Sequence, residues 1–233
     1  MSLIPLRRAV RGSRGRTAAG KTSVTLSFLL FLSPPTLFGD WLTFGHNPQR
    51  SGWSLEETKL TSANVGDLEL KRQVQLKNQF LALNSLTAPV VATDVARAQG
   101  IKTLVYVAGS SNHLFAVDTA DGKVVWDRTF GSHLVAKGDP FYLCPNAVNA
   151  TPTIDRRRNT IYAIAIDGRL YGLDLSTGKV QFGPFQFVPP LSETWSLNLN
   201  DGVLYTATLQ GCGGDRSGLY SMGRDGSDAP LRA

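Results

Sequence analysis

An internal repeat is the feature that most constrains the fold of this 233-residue chain. When the chain is aligned with itself at an offset of 56 positions, residues 106–126 lie over residues 162–182 without a gap. The identical pairs are Tyr106/Tyr162, Leu114/Leu170, Asp118/Asp174, Gly122/Gly178, Lys123/Lys179 and Val124/Val180, and Trp126 lies over Phe182. Self-similarity at a fixed period predicts an array of similar units rather than one irregular domain.

Each copy consists of short strand patterns separated by turn residues. In the second copy, strand patterns occupy residues 160–166, 169–174 and 179–182, and a further one precedes them at 151–155. The pair Asp167-Gly168 separates the first two and predicts a hairpin with a type I′ turn, which requires positive φ at both central residues. Residues 88–92 are the corresponding early strand of the first copy.

A third copy begins at Trp195 and then loses the pattern. It continues through residues 201–207 and 219–222, after which its last outer strand is predicted to be missing or unrecognisable in the sequence. Four antiparallel strands per unit and a period of about 40–50 residues predict β-propeller blades. We therefore predict an all-β propeller with three blades, at residues 86–130, 147–187 and 194–225.

Three blades fall short of the roughly four to eight with which propellers close. The chain is therefore predicted to be an incomplete propeller. Three explanations stay open: an N-terminal fragment, the product of a truncated reading frame, or part of a propeller completed by a second chain or by remaining blades.

The first 39 residues form a basic leader. They contain six of the 24 Lys and Arg residues and none of the 18 Asp and Glu residues, which leaves 18 basic and 18 acidic residues after position 39. The rest of the chain is therefore neutral, and nucleic-acid binding loses its electrostatic support. The basic run precedes an apolar stretch at residues 24–32, so residues 1–39 are predicted to be a signal peptide or an N-terminal anchor of a periplasmic or secreted protein.

A formal match to the phosphate-binding loop lies inside this leader. Gly15, Gly20, Lys21 and Thr22 have the spacing of that motif. The motif works only between a strand and a helix, where backbone amides converge on phosphate oxygens. Neither pattern flanks these residues, so no ATP or GTP binding is predicted.

The unit LFAVDTADGKVVW at residues 114–126 resembles the repeat of pyrroloquinoline quinone (PQQ) propellers, the quinoprotein dehydrogenase-like superfamily. Residues 40–54 and 64–70 are also similar to the start of such domains. This resemblance assigns residues 40–85 to a lead-in with the first outer strand. It also implies that Trp126 and its counterpart Phe182 pack between neighbouring blades.

The resemblance implies less about chemistry. Dehydrogenases of the superfamily hold PQQ on the propeller axis above a Trp, bind Ca²⁺ and often carry a disulfide between adjacent cysteines. This chain has no adjacent cysteine pair, and its acidic residues lie mostly in predicted turns. None of the superfamily's metal or base residues can be matched to a position here.

The two cysteines and three histidines complete the candidate residues. Cys144 and Cys212 are a candidate disulfide pair if the chain is exported, with two unpaired thiols as the alternative. His46, His113 and His133 lack zinc-ligand spacing, and His113 is predicted to be a solvated turn residue.

These observations favour an exported, non-catalytic binding or scaffold module, because the fold is specified far better than any site. No cofactor is required by this prediction. The alternative is a PQQ-dependent dehydrogenase, or a piece of one, that oxidises an alcohol or a sugar with PQQ and Ca²⁺.

Overall fold

Three antiparallel sheets follow one another along the chain in the computed structural model. The structure describes residues 39–79, 86–131, 148–209, 211–212, 216–226 and 231–232. Outside these residues lie the leader with its phosphate-loop match, His133 and Cys144.

The first sheet contains β1 (Val90–Arg97), β2 (Gly100–Gly109), β3 (His113–Asp118) and β4 (Val124–Thr129). The second contains β5 (Thr153–Asp155), β6 (Thr160–Ile164), β7 (Arg169–Asp174) and β8 (Val180–Gln186). The third contains β9 (Glu193–Thr194), β10 (Asn198–Asn200), β11 (Val203–Leu209), β12 (Gly218–Gly223) and β13 (Leu231–Arg232). A 3₁₀ turn at Val65–Asp67 lies in the lead-in.

In each sheet the strands pair in chain order, which is the arrangement of a propeller blade. In the third sheet, β9 and β10 both pair with β11, so together they form an interrupted innermost strand. The prediction of all-β, four-stranded antiparallel blades is therefore confirmed. The last outer strand of the third blade is present, because β13 pairs with β12 at Tyr220 and Ser221. Of the two alternatives left open by the sequence, a missing strand is therefore wrong.

The core lies between the blades rather than within any one of them. One apolar cluster joins the first and second sheets and includes Leu104, Tyr106, Ile161 and Leu173. A second cluster joins the second and third sheets. The middle strands β6 and β7 are almost wholly buried, whereas the outer strand β4 is largely exposed. Blade stacking thus buries apolar area that one twisted sheet leaves exposed.

The turn at Asp167-Gly168 differs from the predicted type I′ hairpin. Only Gly168 has positive φ, at 76°, and its amide donates to the carbonyl of Ala165 at 2.9 Å. The loop between β6 and β7 therefore has four residues and needs one residue in the left-handed conformation. In the first blade, Asn112 is the equivalent left-handed residue. The two-residue turn with positive φ at both positions occurs instead at Asp201-Gly202, between β10 and β11.

The strand pairing of Leu170 differs from that of its aligned residue in the first blade. In the first blade, the aligned residue Leu114 is paired with Arg128 of β4. The offset of 56 positions would pair Leu170 with Pro184, but its observed partner in β8 is Phe185, one residue further along the chain. Proline has no amide with which to donate to the neighbouring strand, so the ladder skips it and the register shifts beside Leu170.

Candidate ligand-binding site

The repeat residue Trp126 fixes the second blade against the first. Its indole Nε1 donates to the carbonyl of Leu175 at 2.9 Å, and the buried hydroxyl of Tyr106 donates to the same oxygen at 3.0 Å. A Cβ atom added to Gly178 would lie 2.6 Å from Cε3 of Trp126. The glycine is therefore required for close approach of the indole, and the packing role predicted for Trp126 agrees with this geometry.

In the second blade, a different aromatic residue reaches the next glycine. Phe182 pairs with Gly172 inside its own sheet and lies beneath the guanidinium of Arg158, 5.2 Å from the ring centroid. The ring that approaches Gly226 of the third blade belongs to Phe185, 2.7 Å from an added Cβ. By its alignment with Trp126, Phe182 was expected to pack against the next blade. Because the register shifts between β7 and β8, Phe182 instead pairs within its own sheet, and Phe185 contacts the next blade.

The aligned leucines of the two repeats are buried in different clusters. Leu114 packs in the cluster between the first and second sheets, together with Tyr106. Leu170 is 2 % exposed and packs in the cluster between the second and third sheets, where Phe185 is one of its partly buried neighbours. Both leucines therefore belong to the interblade core and offer no group to a ligand.

The repeated aspartates and lysines shape the turns between the third and fourth strands. The Oδ1 atom of Asp118 accepts from the amide of Ala120 at 2.8 Å, and its Oδ2 atom lies 2.9 Å from Nζ of Lys102. In the second blade, Asp174 accepts from the amides of Ser176 and Thr177. Backbone carbonyls of Lys123 and Lys179 close the two turns. These acidic groups are therefore committed to turn structure and are not ligand donors.

The lead-in crosses the innermost strands of all three blades. Trp41 forms an antiparallel bridge with Val91 on the free edge of β1. The next residue, Leu42, accepts from the amide of Ile154 in β5 at 2.8 Å. The hydroxyl of Thr43 then donates to the carbonyl of Leu197 at 2.9 Å. Residues 40–50 are thereby placed beside the amino ends of the inner strands.

A cavity of about 330 Å³, here called the amino-end cavity, lies where these inner strands begin. It is lined by Phe44 and Arg50 of the lead-in, Leu86, Thr87 and Ala88 before β1, Asn149 and Thr151 before β5, and residues 193–196 of the third blade. All three blades and the lead-in contribute to it. Such convergence of distant segments is typical of ligand sites.

Trp195 is the largest side chain of this cavity and is 55 % exposed. Its backbone is fixed on both sides, since its amide donates to Ala207 and its carbonyl accepts from the hydroxyl of Thr206 at 2.9 Å. Thr87 makes the equivalent backbone bond in the first blade, to Ala108. The third blade thus presents an indole, on a fixed backbone, where the first has a threonine, and that difference is the sequence signal for this site.

Arg50 supplies the positive charge of the amino-end cavity. Its guanidinium donates to the hydroxyl and the carbonyl of Ser196 and lies 5.6 Å from the centroid of the Phe44 ring. Its backbone has φ of 56°, a left-handed conformation that costs a residue with a side chain about 1–2 kcal/mol. Backbone strain of this kind is enriched at ligand sites.

Glu193 supplies the negative charge. Loss of solvation raises the pKa of its carboxyl, and its Oε2 atom is buried without a hydrogen-bond partner among the described residues. The hydroxyl of the neighbouring Thr194 donates to Oδ1 of Asn149 at 2.7 Å and not to this carboxylate. An acceptor left open in this way can bind a donor on a ligand.

Two further cavities along the inner strands each contain a paired acidic group. In one, of about 260 Å³, Asp40 accepts from Thr93 and lies 3.1 Å from Nε of Arg156. In the other, of about 560 Å³, Arg224 is paired with Asp155. The paired groups have less to offer a ligand than the unpartnered Oε2 atom of Glu193, which favours the amino-end cavity as the candidate.

A calcium site does not fit the described part of the chain. Ca²⁺ takes six to eight oxygen ligands, and the amino-end cavity offers one carboxylate, from Glu193. No group of three or more His, Cys, Asp or Glu residues that could hold a metal occurs among the described residues. The flat, carboxylated ring system of PQQ fits the cavity better, because Trp195 offers an aromatic face and Arg50 offers guanidinium donors.

The remaining sequence candidates lie in the lead-in, the first sheet and the third blade. His113 begins β3, and its ring packs edge-on against Phe115 at 5.3 Å, so it is a half-buried strand residue and not a solvated turn residue. His46 packs against Trp41 at 5.0 Å. Cys212 is buried, and no free cysteine occurs among the described residues. Because its proposed partner Cys144 lies outside them, the disulfide stays a prediction.

None of the helices described is long and apolar enough to cross a membrane.

Comparison with known proteins agrees with this fold. The quinohemoprotein alcohol dehydrogenase of Comamonas testosteroni is 26 % identical over 193 residues, which are 83 % of this chain and 23 % of the relative. The quinoprotein glucose dehydrogenase of Gluconobacter oxydans (strain 621H) is 29 % identical over 157 residues, covering 62 % of this chain and 18 % of the relative. This chain thus spans about a quarter or less of the relatives it matches.

Solved structures give the same result for the fold. The structure of the Comamonas testosteroni enzyme superposes with a TM-score of 0.61 at 20 % identity, over 83 % of this chain and 27 % of the enzyme. A europium-containing methanol dehydrogenase superposes with a TM-score of 0.58 at 15 % identity, over 84 % and 32 % of the two chains.

A family model, PQQ_2, described as outer membrane protein assembly factor BamB, matches residues 56–208, which is more than half of the chain. Together with the blades observed here, this match shows that the chain belongs to the PQQ-repeat β-propeller family, within the quinoprotein dehydrogenase-like superfamily.

Proposed function

We propose that this chain is a non-catalytic binding module whose ligand site is the amino-end cavity. The observation that carries the proposal is Trp195, whose indole is exposed, on a hydrogen-bonded backbone, in a cavity to which all three blades contribute. An exposed aromatic face beside buried residues retains apolar area that a ligand can cover.

The side chains around Trp195 define the chemical class of the ligand. The indole favours a flat ring system, which can stack on it. Arg50 presents a planar guanidinium that suits carboxylate or carbonyl oxygens. Glu193 has an open acceptor and suits a hydroxyl or ring N–H group of the ligand. A flat aromatic molecule carrying both acidic and donor groups satisfies all three requirements.

We also propose that the protein is exported to the periplasm or secreted. The basic leader followed by residues 24–32 has the order of a secretory signal. The family description, which names an outer-membrane assembly factor, supports the same compartment. A binding or scaffold role is compatible with that description, because the propeller fold presents strand ends and loops to a partner and does not by itself imply catalysis.

A PQQ-dependent dehydrogenase, or part of one, is the second candidate function. The relatives named above are an alcohol dehydrogenase and a glucose dehydrogenase, and the amino-end cavity fits a flat carboxylated quinone. Such a quinone would supply the two-electron oxidising chemistry, while this chain would bind and orient it through Trp195 and Arg50. The calcium ligands and a catalytic base would have to come from residues outside the described part of the chain.

Isothermal calorimetry of the full chain with PQQ, with and without CaCl₂, tests the proposal. A binding module should bind PQQ with one saturable site, should lose that binding in Arg50→Gln, and should not reduce a redox dye when an alcohol or glucose is added. Dye reduction that depends on PQQ, Ca²⁺ and substrate would establish the dehydrogenase instead. No saturable binding would reject both assignments of the amino-end cavity.

A further inference from the structure

The second and third blades enclose a cavity at the carboxyl ends of their inner strands. This carboxyl-end cavity, of about 560 Å³, is lined by residues 155–157 at the end of β5, residues 199–202 at the end of β10, and Arg224 after β12. The amino-end cavity lies where the inner strands begin. The two cavities therefore lie at opposite ends of the inner strands and share no lining residue.

Part of the lining of the carboxyl-end cavity is apolar. Leu42 and Pro48 of the lead-in contribute to it, together with Ile154 of β5 and Leu199 of β10. The volume lies in the range of about 300–1,000 Å³ that is typical of sites for small organic molecules. The cavity therefore has room for an apolar body as well as for a charged group.

The carboxylate of Asp155 is engaged by neighbouring residues at both oxygens. Its Oδ1 atom accepts from the amides of Arg157 and Arg158, at 3.0 and 3.3 Å. Its Oδ2 atom accepts from Nη1 of Arg224 at 2.5 Å. Arg224 therefore balances the charge of Asp155, and this carboxylate does not pair with the guanidinium of Arg157.

Arg157 is the exposed cation of this cavity, and its guanidinium has no hydrogen bond or ion pair within the described ranges. Each of the other two arginines is held by one carboxylate, Arg156 by Asp40 at 3.1 Å and Arg224 by Asp155. A guanidinium has five N–H donors, so both keep donors beyond those in their ion pairs. Three guanidinium groups therefore line the cavity, and one of them has no internal counter-ion.

We propose that the carboxyl-end cavity binds a small organic monocarboxylate with an apolar body. The ligand carboxylate would pair with the guanidinium of Arg157, whose planar fork of donors matches two carboxylate oxygens. The apolar body would lie against Leu42 and Leu199. The lining contains three arginines and two aspartates, so its one excess positive charge matches a monoanion better than a phosphate dianion. This site is separate from the amino-end cavity, and the proposal does not depend on the ligand bound there.

Asp201 provides a charge of opposite sign in the same cavity. It is exposed, and its Oδ2 atom accepts from the side-chain amide of Asn200 at 3.3 Å. Its carboxylate should therefore repel an anionic ligand. Asp201 has φ of 48° in the turn before Gly202, and the pair Asn-Gly is favoured in such turns. Asp201→Asn thus removes the charge and keeps a residue type that suits the turn.

An NMR titration of the full, isotope-labelled chain with sodium hexanoate at constant ionic strength tests the proposal. Saturable shifts of amide signals are expected at residues 155–157, 200–202 and 224. Arg157→Gln should weaken hexanoate binding about fivefold or more, because it removes the charged donor. Asp201→Asn should strengthen binding about twofold, because it removes a like charge. The matched control Arg128→Gln removes an exposed arginine of β4 that does not line the cavity, and it should bind like the wild type.

Two further compounds define the chemical class of the ligand. Both 1-hexanol and inorganic phosphate should bind more weakly than hexanoate, because the alcohol lacks the charge and phosphate lacks the apolar body. Trp195→Leu should bind hexanoate like the wild type, which separates this site from the amino-end cavity. The proposal is overturned if hexanoate does not bind saturably, if the shifts occur only at other residues, or if Arg157→Gln binds as tightly as the wild type. Weaker binding by Asp201→Asn, or equal affinity for 1-hexanol or phosphate, would also overturn it.

Discussion

The indole of Trp126 lies directly against Gly178 of the next blade, so close that a methyl group on this glycine would overlap the ring. Gly178 also has φ of 69°, a conformation that residues with side chains rarely adopt. The contact therefore depends on glycine for two separate physical reasons.

We expect Gly178→Ala to lower the free energy of unfolding by about 2–5 kcal/mol, from left-handed backbone strain plus overpacking against the indole. Gly52→Ala is the matched control, because Gly52 has φ of 65° and nothing within 4 Å of an added Cβ. It should cost only about 1–2 kcal/mol. Urea denaturation measures both, and equal costs for the two variants would refute the proposed interblade contact.

Asp118 should make stability depend on pH in the acid range. The Lys102 ammonium and the Ala120 amide hold the pKa of this carboxyl below its ordinary value. A carboxyl with a lowered pKa in the folded state stabilises the fold above its unfolded pKa, and this contribution is lost as pH falls through the folded value. Below about pH 4, the wild type should therefore lose stability faster than Asp118→Asn.

Thermal unfolding between pH 7 and pH 3 measures this difference. Asp127→Asn, which removes an exposed carboxylate from β4, is the control and should follow the wild-type curve more closely. Parallel curves for the wild type and Asp118→Asn would contradict the expectation.

The buried carboxylate of Glu193 should lower the free energy of unfolding at neutral pH. Burial raises the pKa of its carboxyl, so its ionisation opposes folding as pH rises through the folded value. We expect Glu193→Gln to raise the free energy of unfolding at pH 7 and to raise it less at pH 4. Urea denaturation at the two pH values measures this, and a destabilised Gln variant at pH 7 would show that the carboxylate is structural.

The features of this fold that occur in every repeat could be predicted from the sequence, and those that do not repeat could not. The strand at Arg169–Asp174 was predicted correctly, because each copy repeats the same local pattern. The sequence pattern did not predict β13, because its two residues are too few to show the alternation that marks a strand.

The alignment of the repeats also failed where β8 departs from a regular ladder. Leu170 is paired with Phe185 instead of Pro184, and the ring that docks on the third blade is that of Phe185 instead of the aligned Phe182. An alignment without a gap cannot reveal this change of register. The change affects which residues pair between β7 and β8, and it lies beyond Phe182, the last aligned residue.

The amino-end cavity could not be predicted for a different reason. Its charged groups, Arg50 and Glu193, are 143 positions apart and meet only because the lead-in crosses the inner strands. No local motif encodes such a meeting. The sequence indicates the site only through Trp195, an aromatic residue where the first blade has Thr87. These two positions are recognised as equivalent only from their matching backbone hydrogen bonds in the structure.

The two cysteines provide a prediction about the exported protein. We expect Cys144 and Cys212 to be joined in a disulfide, because an oxidising compartment favours pairing and Cys212 is buried at 3 % exposure. Mass spectrometry of protein alkylated without reduction should show no modified cysteine. Two alkylated thiols in the purified, exported protein would eliminate the disulfide.

The most direct test of the proposed ligand site is a fluorescence titration of the full chain with PQQ, compared among the wild type, Trp195→Leu and Trp53→Leu. Trp53 is 67 % exposed in the lead-in and does not line the amino-end cavity, so its variant controls for the loss of one exposed indole. We predict saturable quenching in the wild type and in Trp53→Leu, with at least tenfold weaker binding in Trp195→Leu. Equal affinity of all three proteins for PQQ would contradict the assignment of the ligand site to the amino-end cavity.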